Sequence, residues 1–195
     1  MQTTIPQTDA ALLSAYQTGS SAAIEELVYR YKDRIYTAIA VLVKDRNLAE
    51  DIFQETFLKV IRTIKNGGYS EQGKFLPFAL RVAHNLCMDH FRRVRQHIPI
   101  TLPDGRDLSE ILPLGEASHA GEKMERRQTH EGIRHLVNLL PDEQREVIVL
   151  RMYGEHSFKE IAAQTGVSIN TALGRMRYAL INLRKMIDEK GMVLR

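Results

Sequence analysis

Near its C-terminus the sequence reads SFKEIAAQTGVSINTALGRMRYALINLRKMI, residues 157 to 187, and no other stretch restricts the fold as much. Ser157 followed by Glu160 has the spacing of a capping box, in which hydroxyl and carboxylate each satisfy a backbone N–H left open by the first helical turn. A short helix therefore starts at about Phe158, with Ile161 and Ala162 turned inward. Gly166 can turn at positive φ, Val167 plugs the corner, and Ser168 caps a second helix that runs to about Ile187. On that second helix Ala172, Met176, Ala179, Leu180, Leu183 and Ile187 recur at helical spacing as one apolar face. At about 100° per residue the opposite side carries Asn170, Thr171, Gly174, Arg177, Tyr178 and Lys185, flanked by Arg175 and Arg184. A polar, basic face that thins at a glycine suits the major groove of DNA, where N-terminal side chains read base edges and Arg and Lys meet phosphates. The competing explanation is an amphipathic hairpin inside an ordinary bundle.

The 195 residues allow one domain or two small ones, and 44% hydrophobic with 26% charged residues is the balance of a soluble globular chain. Net charge is only +3, so basic character has to be located along the chain. The longest apolar run, Ile35 to Val43, is about half a bilayer span, and no basic-then-apolar leader opens the sequence, so a cytoplasmic protein is expected. One cysteine, Cys87, excludes an internal disulfide and a cysteine-cluster zinc site. Few stretches alternate in polarity. The expected fold is all-α: two small helical domains joined by an acidic linker, the C-terminal one containing a helix-turn-helix.

After an unpatterned tail of residues 1 to 8, Asp9 is placed to cap a short helix ending at Gly19. Ser20 or Ser21 caps the next, which runs to about Val43 through Ile24, Leu27, Val28, Tyr31, Ile35 and Ile39. A third helix spans roughly Asn47 to Ile64, with Ala49, Ile52, Phe53, Phe57, Val60 and Ile64 as its buried stripe. Asp51, Gln54, Glu55, Leu58 and Arg62 fall on its far side. A leucine ringed by acid and amide reads either as a docking patch for another protein or as a solvated charged face with one stray Leu.

A polar loop, KNGGYSEQGK at 65 to 74, holds a single aromatic, Tyr69. The fourth helix runs from about Phe75 to Val94, Pro77 being tolerated in its first turn. Leu76, Ala79, Leu80, Ala83, Leu86, Cys87 and Phe91 form its inner face, and Phe78, Arg81, Asn85, Met88 and Arg92 its outer stripe. Between Lys74 and His97 five Lys or Arg stand against one acid. Aromatic, amide and guanidinium groups on one basic line suit unstacked nucleic acid, and an interface with an acidic protein would use similar groups. His84 and His90 are six residues apart and diverge around the helix, so they cannot share a metal without outside ligands. No nucleophile elbow, phosphate loop or carboxylate pair is present; no cofactor, metal or catalysis is expected.

Prolines at 99, 103 and 113 interrupt periodicity, and residues 98 to 125 carry six acids against two bases, as an extended acidic linker would. Helix resumes near Arg126, with Ile133, Leu136, Val137 and Leu140 inward. Pro141, Asp142 and Glu143 open the next helix, which Gly154 ends. The expected domains are 1–95 and 126–195, with the linker at 96–125.

Laid end to end, these pieces resemble the extracytoplasmic-function (ECF) class of bacterial sigma factors, the promoter-recognition subunits of RNA polymerase. AEDIFQETFLKV at 49 to 60 resembles the family's polymerase-binding segment and FLPFALRVAHNLCMDHFRR at 75 to 93 its minus-ten segment. LPDEQREVIVLRMYGEHSFKEIAAQTGVSINTALGRMRYAL at 140 to 180 resembles its minus-thirty-five segment. The resemblance implies that Asp51, Gln54, Glu55 and Leu58 dock on core polymerase. It places Tyr69, Phe78, Arg81, Asn85, Arg92 and Arg93 at the minus-ten DNA, and Ser168, Asn170, Thr171, Gly174, Arg175, Arg177, Tyr178 and Lys185 at the minus-thirty-five DNA. It also implies an anti-sigma partner, a linker that threads toward the polymerase active-site channel, and no membrane insertion. Two departures stand out: Phe78 replaces a common Trp, and NTALGR at 170 to 175 replaces a more polar run, shifting base reading toward Thr171, Arg177 and Tyr178 or toward DNA shape. The alternatives are a two-domain helix-turn-helix regulator acting without core polymerase, and an enzyme built on the His84 to His90 segment.

Overall fold

Local start and stop signals place the helices in the computed structural model, which describes residues 8–70, 73–97 and 132–190. The first helix, α1 (Asp9–Gln17), is capped by Thr8, whose hydroxyl accepts from the Ala11 N–H at 3.2 Å. The sequence assigned that cap to Asp9. Its carboxylate instead accepts from Arg30 at 2.7 Å and from the Tyr31 hydroxyl at 2.6 Å, tying α1 to α2 (Ser21–Val43). Lys44 turns the chain at φ 57°, and Asp45 caps α3 (Arg46–Lys65) by accepting from Leu48 N–H at 2.8 Å. The fourth helix, α4 (Phe75–His97), runs about one turn beyond the expected Val94. These helices bury Leu27, Ile35, Ile39, Val60, Ile64, Phe75, Ala79 and Cys87 among themselves.

The C-terminal group begins with a helical stretch over residues 132–138, α5, then α6 (Asp142–Ile148), which widens into a π-helical turn over Val149–Tyr153. Next come α7 (Phe158–Thr165) and α8 (Ile169–Glu189). Gly166 closes α7 at φ +69°, a backbone angle that favours glycine, so the expected turn is there. Leu180 departs from expectation: it should line the inner face of α8 but remains 53% exposed. The cause is the narrow seam of α8, which packs chiefly against α6 and α7; Ala172 and Ala179 are buried, whereas Leu180 and Ile181 beside that seam face water. The acidic linker at 98–125 lies outside the described residues. Among the described residues all regular structure is helical, and no helix is long and apolar enough to cross a membrane.

The capping box forms as its spacing requires. Glu160 accepts from the Ser157 N–H at 2.8 Å and its hydroxyl at 2.7 Å, and the Glu160 N–H donates back to Ser157 at 3.2 Å. The Ser157 bonds, helped by Lys74, hold the Glu160 carboxyl down at about 2, against an ordinary 4.5. Because the folded value is depressed, this stability is present above pH 4.5 and is lost as pH falls from there toward 2. Wild type is expected to lose about 1–2 kcal/mol in that window, the full linkage being discounted for solvent screening. Urea midpoints against pH should show that slope, and Glu160→Gln should flatten it.

Candidate partner and nucleic-acid interfaces

The singled-out residues lie on three separate exposed surfaces. On α3, Asp51, Gln54, Glu55 and Leu58 all face solvent, while Ala49, Ile52, Phe57, Val60 and Ile64 on the other side are buried. Leu58 keeps 56% of its surface exposed. Leaving a leucine in water forgoes about 1.5–3 kcal/mol of burial, and a partner groove can recover it while the surrounding acids meet cations.

The second surface runs along α4. Phe75 is fully buried and anchors the first turn. Phe78 stands on the outer side, and Tyr69 from the preceding loop stacks on it with ring centroids 4.4 Å apart at 30°. Tyr69 also meets Phe75 edge-on at 6.3 Å, so the loop aromatic is seated by the helix start. From this pair the exposed side chains of Arg81, Asn85, Arg92 and Arg93 lead along the helix. Arg92 contacts Asp89 at 3.1 Å across an exposed i,i+3 pair, a weak tether that a phosphate can replace.

On α8 the N-cap is internally satisfied. Ser168 accepts from the Thr171 N–H at 3.0 Å, and the two hydroxyl oxygens are 2.9 Å apart, so both are engaged at the helix start. Asn170, Thr171, Arg177, Tyr178 and Lys185 are exposed, Gly174 and Arg175 half-buried. Lys185 lies 3.8 Å from Glu189, both well exposed. Gly174 is not required by the fold: a Cβ there would meet nothing within 4 Å, and Ala would favour the helix by about 1 kcal/mol. What the glycine leaves is a bare stretch of backbone on the outer face, where another molecule can approach closely.

Sequence reasoning missed the polar contacts between the two helical groups. His84 is 3% exposed, and its Nε2 lies 2.7 Å from Glu146 of α6. Arg34 of α2 meets Glu155 at 2.8 Å, and Lys74 meets Glu160 at 3.2 Å, so part of the basic count before α4 faces the C-terminal group. One signal was present: His84 is four residues after Leu80 and three before Cys87, a polar residue on an apolar stripe. Nothing local predicts Glu146 as its partner. His156 is fully buried, with Nδ1 3.2 Å from the Leu150 carbonyl, and burial pushes its pKa below the usual 6.5. Among the described residues no cluster of three metal-ligating side chains forms.

Comparison with known proteins follows the same division. The model of Sigma-70 region 2 matches residues 27–97, and that of Sigma-70 region 4 matches residues 130–178. The chain is 30% identical to RNA polymerase sigma factor CarQ of Myxococcus xanthus over 91% of this chain and 96% of that one. It is 26% identical to the RNA polymerase sigma-H factor of Pseudomonas aeruginosa, over 93% and 92% of the two chains. Its fold is that of sigma factor RpoE of Bartonella quintana, solved with the anti-sigma factor NepR, at a TM-score of 0.64 and 17% identity, covering 85% of this chain and 96% of that one.

Proposed function

The chain belongs to the ECF class of the sigma-70 family of RNA polymerase sigma factors, and from that premise we propose how its exposed surfaces divide the work of starting transcription. As a sigma factor it directs transcription initiation. Residues 1–95 form the unit that binds core polymerase and the minus-ten element, residues 126–195 the unit that binds the minus-thirty-five element, and residues 96–125 the tether. Asp51, Gln54, Glu55 and Leu58 dock on core polymerase. The Tyr69–Phe78 stack gives an extruded base a flat apolar surface, and Arg81, Asn85, Arg92 and Arg93 hold the adjoining single strand. Unstacking a base costs a few kcal/mol, which aromatic stacking and phosphate pairing offset. On α8, Asn170, Thr171, Arg177 and Tyr178 face base edges past Gly174, with Ser168, Arg175 and Lys185 toward the backbone. No covalent step is assigned to the chain, which acts in the cytoplasm, and an anti-sigma protein that masks these surfaces is the natural regulatory partner.

The observation that supports this division best is the joint exposure of Arg81, Asn85 and Arg177 on helices whose opposite faces are buried. It is tested by duplex binding. Arg177→Ala is expected to weaken binding by about 1–3 kcal/mol on the preferred sequence and little on others, whereas Lys185→Ala mainly lowers the salt slope. Equal losses on every sequence for Arg177→Ala would contradict base contact.

A further inference from the structure

The first turns of α8 carry an apolar strip that the fold does not use. Ile169 and Leu173 stand one helical turn apart, 46% and 43% exposed, and neither is part of a buried apolar cluster. The seam side of the helix is taken by Ala172 and the half-buried Met176, which pack with Val147, Leu150 and Ile161. At about 100° per residue Leu173 points about 100° away from Ala172 and within about 40° of Arg177, so it leaves the seam and joins the outer face. Of residues 172 to 175 it alone is exposed, and Gly174 beside it has open space where a side chain would stand.

The neighbours of Leu173 decide what covers it. Asn170 lies three residues before it and Arg177 four after; both are exposed. Both are placed at base edges in the promoter reading above, on which this inference rests. A surface that meets those two also meets the leucine between them. In the major groove the base edges offer hydrogen-bond donors and acceptors, and thymine adds a C5-methyl group. Leucine can neither donate nor accept. Laid on a polar edge, it strips water from groups that then find no partner; laid on a methyl, it removes apolar surface from water on both sides. It therefore selects by attraction to one base and by rejection of the others. Leu173 is about 6 Å along the axis from Ile169, within the N-terminal turns that a groove-reading helix presents to bases. Leu180, 53% exposed on nearly the same line, is about 10 Å further on and past that zone.

We infer that Leu173, with Ile169 as its wall, reads a thymine methyl in the minus-thirty-five element, so that an apolar contact selects an A·T pair at one position. The leucine in the NTALGR run thus exchanges hydrogen-bond readout for readout of a different chemical group.

The test uses polymerase holoenzyme reconstituted with the full-length chain, and a promoter fragment selected with it. Each thymine of the upstream element is replaced in turn by deoxyuridine, which lacks only the C5-methyl group, and Kd is measured by competition. Wild type is expected to bind about three- to tenfold more weakly when the thymine under Leu173 is replaced. Leu173→Ala, an exposed change to a strong helix former, is expected to lose the same factor on the thymine fragment and to bind both fragments equally. Leu180→Ala should keep the wild-type ratio between them. The absence of any sensitive thymine, or a Leu173→Ala protein with the full wild-type sensitivity at every thymine, would overturn the inference. So would equal losses for Leu173→Ala and Leu180→Ala with the thymine ratio intact, which would assign the strip to a protein contact. If Arg177→Ala alters binding and Leu173→Ala does not, the inference falls and the minus-thirty-five reading stands. If scrambling the whole upstream element changes nothing for wild type, that reading falls and takes the inference with it.

Discussion

Gly154→Ala is expected to destabilise the C-terminal group by about 3 kcal/mol or more, read as a drop in urea midpoint with unchanged slope. A Cβ at this position would overlap Nδ1 of His156, approach its Cε1 at 2.8 Å and come within 2.7 Å of the Leu150 carbonyl oxygen. Neither neighbour can yield. The carbonyl belongs to the π-helical turn, and the imidazole is fully buried and hydrogen-bonded to that same oxygen at 3.2 Å. Gly174→Ala is the control: its Cβ meets open space, so the fold should be as stable or slightly more so, and any loss of DNA binding then reports on the outer face of α8. Acid should act on the same place as Gly154→Ala. Burial lowers the His156 pKa below 6.5, so the unfolded chain takes up the proton more readily, and this contribution to stability is present above pH 6.5 and fades below it. A Gly154→Ala protein as stable as wild type would show that the His156 pocket is loose.

Asp51→Ala with Glu55→Ala, and separately Leu58→Lys, are expected to weaken core-polymerase binding by about 2–3 kcal/mol each, measured as Kd with labelled chain. All three positions face solvent, so the fold has little to lose from either change. The acidic pair should act largely through the association rate and show less salt dependence than wild type. Leu58→Lys should raise the dissociation rate, because it removes the apolar group at the centre of the face. Unchanged Kd in both variants would remove α3 from the polymerase interface.

Much of this was legible in the sequence because the information is local. The Ser157–Glu160 box, the Gly166 turn and the Ser168 cap each depend on residues within one helical turn, and each forms as its spacing demands. The stripes of α3 and α4 follow from helical period alone. Three features failed that test for physical reasons. The α1 cap went to Thr8 because the Asp9 carboxylate is drawn to Arg30 and Tyr31, partners more than twenty residues away. Leu180 was placed inside because periodicity gives direction and not the width of what lies opposite. His84–Glu146 joins residues 62 positions apart, and only the packing of the two groups brings them together. The exposed faces could be projected from sequence; the seam between the groups could not.

The most direct test of the central claim is initiation itself. Purified core polymerase, the full-length chain and a promoter fragment selected with them should give a transcript starting at one defined position. Asp51→Ala with Glu55→Ala should abolish that transcript, as should Arg81→Ala with Asn85→Ala. Duplex binding by the chain alone, with no specific start when core polymerase is supplied, would contradict the account.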